Sequence, residues 1–423
     1  MKIKSIQARE ILDSRALPTV QATVVLEDGT AGKATVPSGA STGSREALEL
    51  RDGDQERFAG KGVRKACDNI EKKIFPGLSD FSALDQEGID QRMLELDGTE
   101  NKSNLGANAI LAVSLAVARA AAAAQNKPLW QHLQETFGFT STPDYRFPIP
   151  MMNVINGGKH ADSGLDLQEF MLVPHGLGTF SERIAAGAEI YQILKANLVK
   201  MGYRVAVGDE GGFAPSLGSN QEALEVIVEA INASRFELER QIKTGIDAAA
   251  SEFYNKEAKQ YDLKLDRVSL SSESMNTMYK EWVEKYKLAL IEDPLSEFDW
   301  DGWEKFTEQM GEKITIIGDD LLVTNQKLVV EAIERKACNA VLIKVNQIGS
   351  LTETIQTVRE AKYNDMKIAV SHRSGETIDD FIADLAVATE ADFVKFGAPA
   401  RGERVSKYNR VAEIEAERGA SKF

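Results

Sequence analysis

Leu288-Ala-Leu-Ile-Glu-Asp-Pro294 is the stretch on which the reading of this chain turns. Four apolar residues give the signal of a short buried strand. Pro294 cannot continue a hydrogen-bonded ladder, so Glu292 and Asp293 fall where a strand gives way to a loop. A single acid after a strand is ordinarily solvated, but here the pattern repeats. Thr244-Gly-Ile-Asp-Ala-Ala-Ala carries Asp247, and Ile314-Thr-Ile-Ile-Gly-Asp-Asp carries Asp319, each at or near the end of an apolar run. In a barrel of parallel strands such ends converge on one face, where barrels of this kind carry their active sites. Converging carboxylates repel one another unless a cation sits among them, and an all-oxygen set favours magnesium or manganese.

The pattern of runs around this stretch sets the architecture. Beyond Pro150, strand-like segments occur near Met151, Leu167, Arg204, Thr244, Leu288, Ile314, Ala340, Lys367 and Asp392. Most are separated by helix-like stretches, among them Ser181–Met201, Asn220–Ser234, Asn325–Lys336, Leu351–Lys362 and Asp379–Thr389. Alternation of this kind predicts a β/α barrel rather than an open sheet. Gly157 to Asp166 is too short for a crossover helix, so an antiparallel start is expected. Before Pro143, Pro148 and Pro150 the order is different. Strands over Ile3–Ile11, Thr19–Leu26 and Gly32–Val36 precede helices over Val63–Ile74, Phe81–Leu94 and Asn108–Gln125, the order of an α+β unit. The expected division is 1–135 and 136–423, with the fold α/β overall.

With 423 residues the chain can build a large core. Fifty basic against sixty-five acidic residues give a net charge of -15, which argues against a general nucleic-acid surface. Two cysteines, Cys67 and Cys338, cannot form a disulfide framework and indicate a reducing compartment. The run Gly106–Gln125 is alanine-dominated and interrupted by Asn108, Ser114 and Arg119, which predicts a buried helix rather than a membrane span. Met1-Lys-Ile-Lys-Ser-Ile lacks the apolar core of a signal peptide. A cytoplasmic location is expected, with any surface or secreted pool reached by another route.

Other strand ends bring further groups. Lys344, in Ala340-Val-Leu-Ile-Lys-Val-Asn-Gln, and Lys395, in Asp392-Phe-Val-Lys-Phe-Gly, each follow apolar residues. A lysine there is either a structural ion pair or a base whose pKa is lowered by adjacent metal charge. His372, Arg373 and Ser374 leave a strand together beside Gly375. They read as a phosphate or carboxylate clamp, or as a helix cap next to a surface arginine. Gln168-Glu169 and Asp209-Glu210 also fall on expected strand ends, and paired glutamates can share a proton. Three glycine-bearing loops complete the set: Val36 to Gly43, which holds Ser38; Ile155 to Ala161, which holds His160; and Val207 to Pro215.

The motifs Ser38-Gly-Ala-Ser-Thr-Gly, Asn101-Lys-Ser-Asn-Leu-Gly-Ala-Asn-Ala-Ile, Gly208-Asp-Glu-Gly-Gly-Phe-Ala-Pro, Leu342-Ile-Lys-Val-Asn-Gln-Ile-Gly and Ser371-His-Arg-Ser-Gly-Glu-Thr, in this order, give the chain a resemblance to the enolase family over essentially its full length. The resemblance implies an N-terminal capping domain and a TIM-like barrel with an antiparallel second strand. It implies magnesium-dependent, reversible dehydration of 2-phosphoglycerate to phosphoenolpyruvate in glycolysis and gluconeogenesis, by a homodimer or a ring of dimers. Carried over by motif, Asp247, Glu292 and Asp319 hold a first magnesium, and Ser38 joins a second that arrives with substrate. Lys344 is the base, and Glu210, supported by Glu169, protonates the departing hydroxyl. Lys395 faces the substrate carboxylate, Arg373 and Ser374 take the phosphate, and His160, Gln168 and His372 close on the substrate.

Some positions depart from the family pattern. Ala16-Leu17 stands where Gly-Asn is usual and is expected to affect the first hairpin. Phe396 replaces a usual threonine and is expected to reshape the pocket wall. The alternatives to the glycolytic reaction are another enolase-superfamily lyase acting on sugar acids, or a binding role at a surface or in an RNA-processing complex. The Arg373-Ser374 pair favours a phosphorylated substrate over the first.

Overall fold

The computed structural model describes residues 1–40, 43–139 and 146–419. The N-terminal unit is an antiparallel sheet of Ile3–Leu12, Pro18–Leu26 and Ala31–Thr35, covered by the helix Ala107–Ala124. The alanines of that helix let two backbones approach closely. A Cβ at Gly32 would stand 2.2 Å from the Ala120 nitrogen and 2.3 Å from the Ala116 oxygen, so only glycine fits the crossing. Among the described residues this is the one helix long and apolar enough to cross a membrane, and 83% of it is buried inside the protein.

The helix expected over 81–94 instead runs Gln86–Asp97. Asp85 caps it by accepting from the Gly88 N–H at 3.0 Å. The preceding residues pair with the chain start, the Ala83 N–H donating to the Met1 carbonyl at 2.9 Å. A further helix, Leu129–Thr136, was not anticipated.

The C-terminal unit is a barrel. Its sheet begins with Ile149–Pro150 and ends with Met152–Asn156, and only Met151 separates these two edges in the chain, so the sheet closes on itself. Between them lie Phe393–Lys395, Lys367–Ser371, Ala340–Ile343, Thr315–Gly318, Leu288–Glu292, Lys243–Asp247 and Glu169–Val173. Glu169–Val173 is antiparallel to both neighbours, as the short connection before it requires. Pro143 lies outside the described residues, and Pro150 is part of the first strand rather than of a linker.

One expected strand is absent. The run at Arg204 forms no part of the barrel, because Glu169–Val173 pairs directly with Lys243–Asp247 and leaves no gap for it. Two helices, Phe180–Lys200 and Asn220–Asn232, fill that connection. The run is instead an exposed stem for the loop at 208–212, where the Gly208 N–H donates to the Gly212 carbonyl at 2.8 Å. Glu210 therefore sits on a loop and not on a strand end. The loop still reaches the mouth, because Phe213 lies against the strand Met152–Asn156, its N–H donating to the Val154 carbonyl at 2.9 Å.

Candidate active site

Register explains why the acids meet. Glu292 is paired with Asp247 across parallel strands, and Asp247 with Glu169 across antiparallel ones, so one row of the sheet carries all three at the mouth. Asp319 follows the next strand, Thr315–Gly318. The turn there is held by Asp293, whose two oxygens accept from the Asp319 and Asp320 N–H groups, each at 2.8 Å.

Two lysines bind this acidic row. Lys395 Nζ lies 3.0 Å from Glu169, 2.9 Å from Asp247 and 2.8 Å from both oxygens of Glu292. Lys344 Nζ is paired with Asp319, whose other oxygen accepts from Gln347 at 2.9 Å. The ion pair weighed for Lys344 is thus present. Burial works against the charged amine, but Asp319 outweighs it and holds Lys344 above its usual value. Asp319 here spends its charge on the amine. Lys395 is raised further still, its three acids overcoming burial.

The expected metal ligands Asp247, Glu292 and Asp319 share this mouth, though they do not form a group with donor atoms all within 4.8 Å of one another. Among the described residues the two such groups are His160, Glu169 and Glu210, and Asp293, Asp319 and Asp320. The donor chemistry nevertheless fits a divalent cation. Asp247, Glu292 and Asp319 are 2%, 0% and 6% exposed, all offer oxygen, and two amines serve a larger number of acids. Burial, then the charge of Asp247, pushes the Glu292 carboxyl well above the usual range even against Lys395, a surplus of negative charge that a cation would relieve. Ser38 is buried on the first-domain loop. Its hydroxyl donates to Glu49 at 2.9 Å, and its backbone bridges Gly375.

On the opposite side the glutamates Glu169 and Glu210 share His160, whose Nδ1 lies 3.5 Å and 3.3 Å from them. Burial, then the charge of Glu210, pushes Glu169 well above its usual value. Burial acts the same way on Glu210, but His160, His372 and Arg404 outweigh it and hold that carboxyl low. The two carboxyls are thus pushed in opposite directions. Burial lowers both histidines, His372 to about 3, against the opposing pull of the Glu210 charge. Gln168 donates to Asp247 at 3.3 Å.

Arg373 and Ser374 are not a surface arginine and a helix cap. Both are buried, and the next helix begins only at Phe381. With His160, Gln168, the two glutamates, His372 and both lysines, they line a cavity of about 10 Å³, room for roughly one water. Poorly matched polar atoms concentrate here: Gln168 Oε1 and Glu169 Oε2 have no hydrogen-bond partner, and His160 Nδ1 and His372 Nε2 have only glutamate oxygens at 3.3–3.5 Å without hydrogen-bond geometry. A cluster of unmet donors and acceptors marks a site built to receive a ligand.

Sequence reasoning missed several residues that shape the site. Arg404, fully buried, donates to His372 Nδ1 at 2.8 Å and to the Arg373 and Ser374 carbonyls at 2.6 Å each. Arg15 reaches the Ser374 hydroxyl at 3.3 Å and the Ser38 carbonyl at 3.0 Å, tying the two domains together. Asn153 donates to Glu210 at 3.1 Å. Phe396 departs from expectation in the other direction. Its ring is buried against Tyr408, with centroids 5.5 Å apart, and does not line the cavity.

Two family models match the chain. One, described as "Enolase, N-terminal domain", covers residues 3–133. The other, "Enolase, C-terminal TIM barrel domain", covers residues 144–423.

Proposed function

We propose, from the premise that the chain belongs to the enolase family, that it catalyses the reversible dehydration of 2-phosphoglycerate to phosphoenolpyruvate with magnesium. The observation that carries this reading is the division of the mouth into separate anion sites. Lys395 and Lys344 stand over the carboxylate row, while Arg373 and Ser374 lie on the adjoining strand end. A substrate with a carboxylate at one end and a phosphate beside it suits that pair of sites.

In this reading Asp247, Glu292, Asp319 and Ser38 would hold magnesium. When bound, the ion supplies positive charge against the carboxylate oxygens on which negative charge gathers. Lys344 takes the proton from the carbon beside the carboxylate. It does so as a free amine, and the group that keeps it protonated is Asp319, itself one of the acids assigned to magnesium. Lys395 stays protonated and stabilises the carboxylate throughout. A proton from the Glu169–Glu210 pair passes to the hydroxyl on the neighbouring carbon, which leaves as water. His160 and His372 stand within reach of the glutamate pair and donate or accept hydrogen bonds there. Buried walls exclude bulk water from the reacting atoms.

The test is absorbance growth from 2-phosphoglycerate in magnesium buffer. Product formation that stops with a chelator and returns with added magnesium is the expected result. No product in saturating magnesium and substrate would overturn the reading.

A further inference from the structure

Arg373 holds a partner that the proposed reaction does not use. Glu46, from the segment Gly43–Leu50 of the N-terminal unit, presents both carboxylate oxygens to the guanidinium. Arg373 Nη1 donates to Oε2 and Nη2 to Oε1, each at 3.0 Å. The two side chains are 9% and 2% exposed. Asn346 accepts from the same guanidinium at 2.9 Å. Parallel two-point pairing is the geometry in which a guanidinium also takes two oxygens of a phosphate.

The segment carrying Glu46 is neither helix nor strand. A few polar contacts dock it on the barrel: the Ala47 N–H donates to the Gln347 carbonyl at 2.8 Å, Arg45 to the Leu321 carbonyl at 2.8 Å, and Ser44 to Glu297 at 2.7 Å. Beyond Arg373, the Glu46 carboxylate accepts from the Gly43 N–H at 3.1 Å, a contact within its own segment, and more weakly from Gln347 Nε2 of the barrel at 3.4 Å. Both terminal nitrogens of the guanidinium are engaged by this carboxylate, so a phosphate that takes the same two nitrogens has to displace it.

We infer that Glu46 is an internal competitor for the anion site, a carboxylate that substrate phosphate must displace from Arg373 and that thereby selects for a doubly charged oxyanion. This rests on the reading that Arg373 receives the phosphate of the substrate. The logic is one of exchange. A buried guanidinium left bare is costly, so Glu46 keeps it compensated and aligned. A monoanionic carboxylate yields to a phosphate carrying about two charges, which pairs more strongly with the same fork. The apparent affinity is then the difference between two ion pairs, and weaker anions do not dislodge the segment.

The full-length protein can be titrated calorimetrically with inorganic phosphate, as the parent, Glu46→Gln and Glu46→Asp. Glu46→Gln keeps the shape and removes the charge, and phosphate should bind it on the order of tenfold more tightly than the parent. Glu46→Asp, one methylene shorter, should fall between them. Adding Arg373→Ala to Glu46→Gln should abolish the gain, showing that it passes through the guanidinium. In steady state the Glu46→Gln KM for 2-phosphoglycerate should fall by more than kcat changes, a split that a purely structural role would not produce.

Phosphate binding to Glu46→Gln no tighter than to the parent, at an unchanged melting midpoint, overturns the inference. Should Glu46→Gln fail to fold, Glu46→Asp decides by the same titration. A phosphate gain in a protein that makes no phosphoenolpyruvate would sink the proposed reaction and leave Glu46 in its role. Turnover without the gain would do the reverse.

Discussion

Along the same barrel strands, two residues apart, lie a layer that packs and a layer that reacts. Leu290, Ile317, Leu342, Ala369, Phe393, Met151 and Met171 belong to one apolar plug inside the barrel. Glu292, Asp319, Lys344, Ser371, Lys395, Asn153 and Glu169 are their neighbours two positions along, at the mouth. Strand pleating turns both members of each pair inward, so a single period separates the layers. The plug is buried and carries no charged or hydrogen-bonding side chain. The mouth is almost as buried yet holds unmatched polar atoms and carboxyls pushed away from their usual range. Packing rules are satisfied in the first layer and violated in the second, and the violations are where chemistry is possible.

The comparison breaks most visibly through Lys344. Lys344→Ala is expected to lower turnover of 2-phosphoglycerate by ~10²–10⁴-fold, the usual weight of a positioned base, read from absorbance growth. Turnover at the parent rate would take that role from Lys344. One step down the same strand, Leu342→Ala is expected to lower the free energy of unfolding by roughly 2–5 kcal/mol, measured by denaturant titration. Its folded fraction should keep far more activity than Lys344→Ala does. Equal losses of activity in the two variants would mean that plug and mouth are not separable. A smaller effect concerns the acids alone. Magnesium at about a hundred times its dissociation constant should stabilise the parent by about 2.7 kcal/mol. Glu292→Gln should lose most of that increment in calorimetry, and retention of all of it would place the ion elsewhere.

The mouth was legible because its residues recur at strand ends, a one-dimensional signal that closure of the sheet turns into a cluster. Glu292, Asp247, Asp319, Lys344 and Lys395 could all be read that way. Glu210 was found for the wrong reason. Its run looked like a strand, but strand pairing between distant segments leaves no place for it, and a loop carries the carboxylate in instead. Arg404, Arg15 and Glu46 gave no local signal at all. Each is a charged residue in an ordinary polar stretch, and only the docking of one domain on the other, or of the last helix on the mouth, gives it its partners there. Patterns within a strand are visible in sequence, whereas charges brought together from different units are not.

The smallest expected effect lies at the hairpin that delivers Arg15 to the mouth. Ala16 adopts φ 58°, the left-handed region, where the family usually has glycine. The hairpin forms all the same, because Asp13 over-determines it. Its Oδ1 accepts from the Arg15 N–H at 2.8 Å and the Leu17 N–H at 2.9 Å, and its own N–H donates to the Leu17 carbonyl at 2.8 Å. The Ala16 methyl is exposed and buries nothing that would offset the strain. Left-handed backbone costs an alanine about 1–2 kcal/mol. Glycine relieves this but gives the unfolded chain extra freedom worth about 0.4–1 kcal/mol. The first figure exceeds the second, so Ala16→Gly is expected to stabilise the protein by about 0.5–1 kcal/mol in denaturant titration. A loss of stability would show that the alanine contributes through the unfolded chain more than it costs in the turn, and that Asp13 alone sets the geometry that carries Arg15 to Ser374.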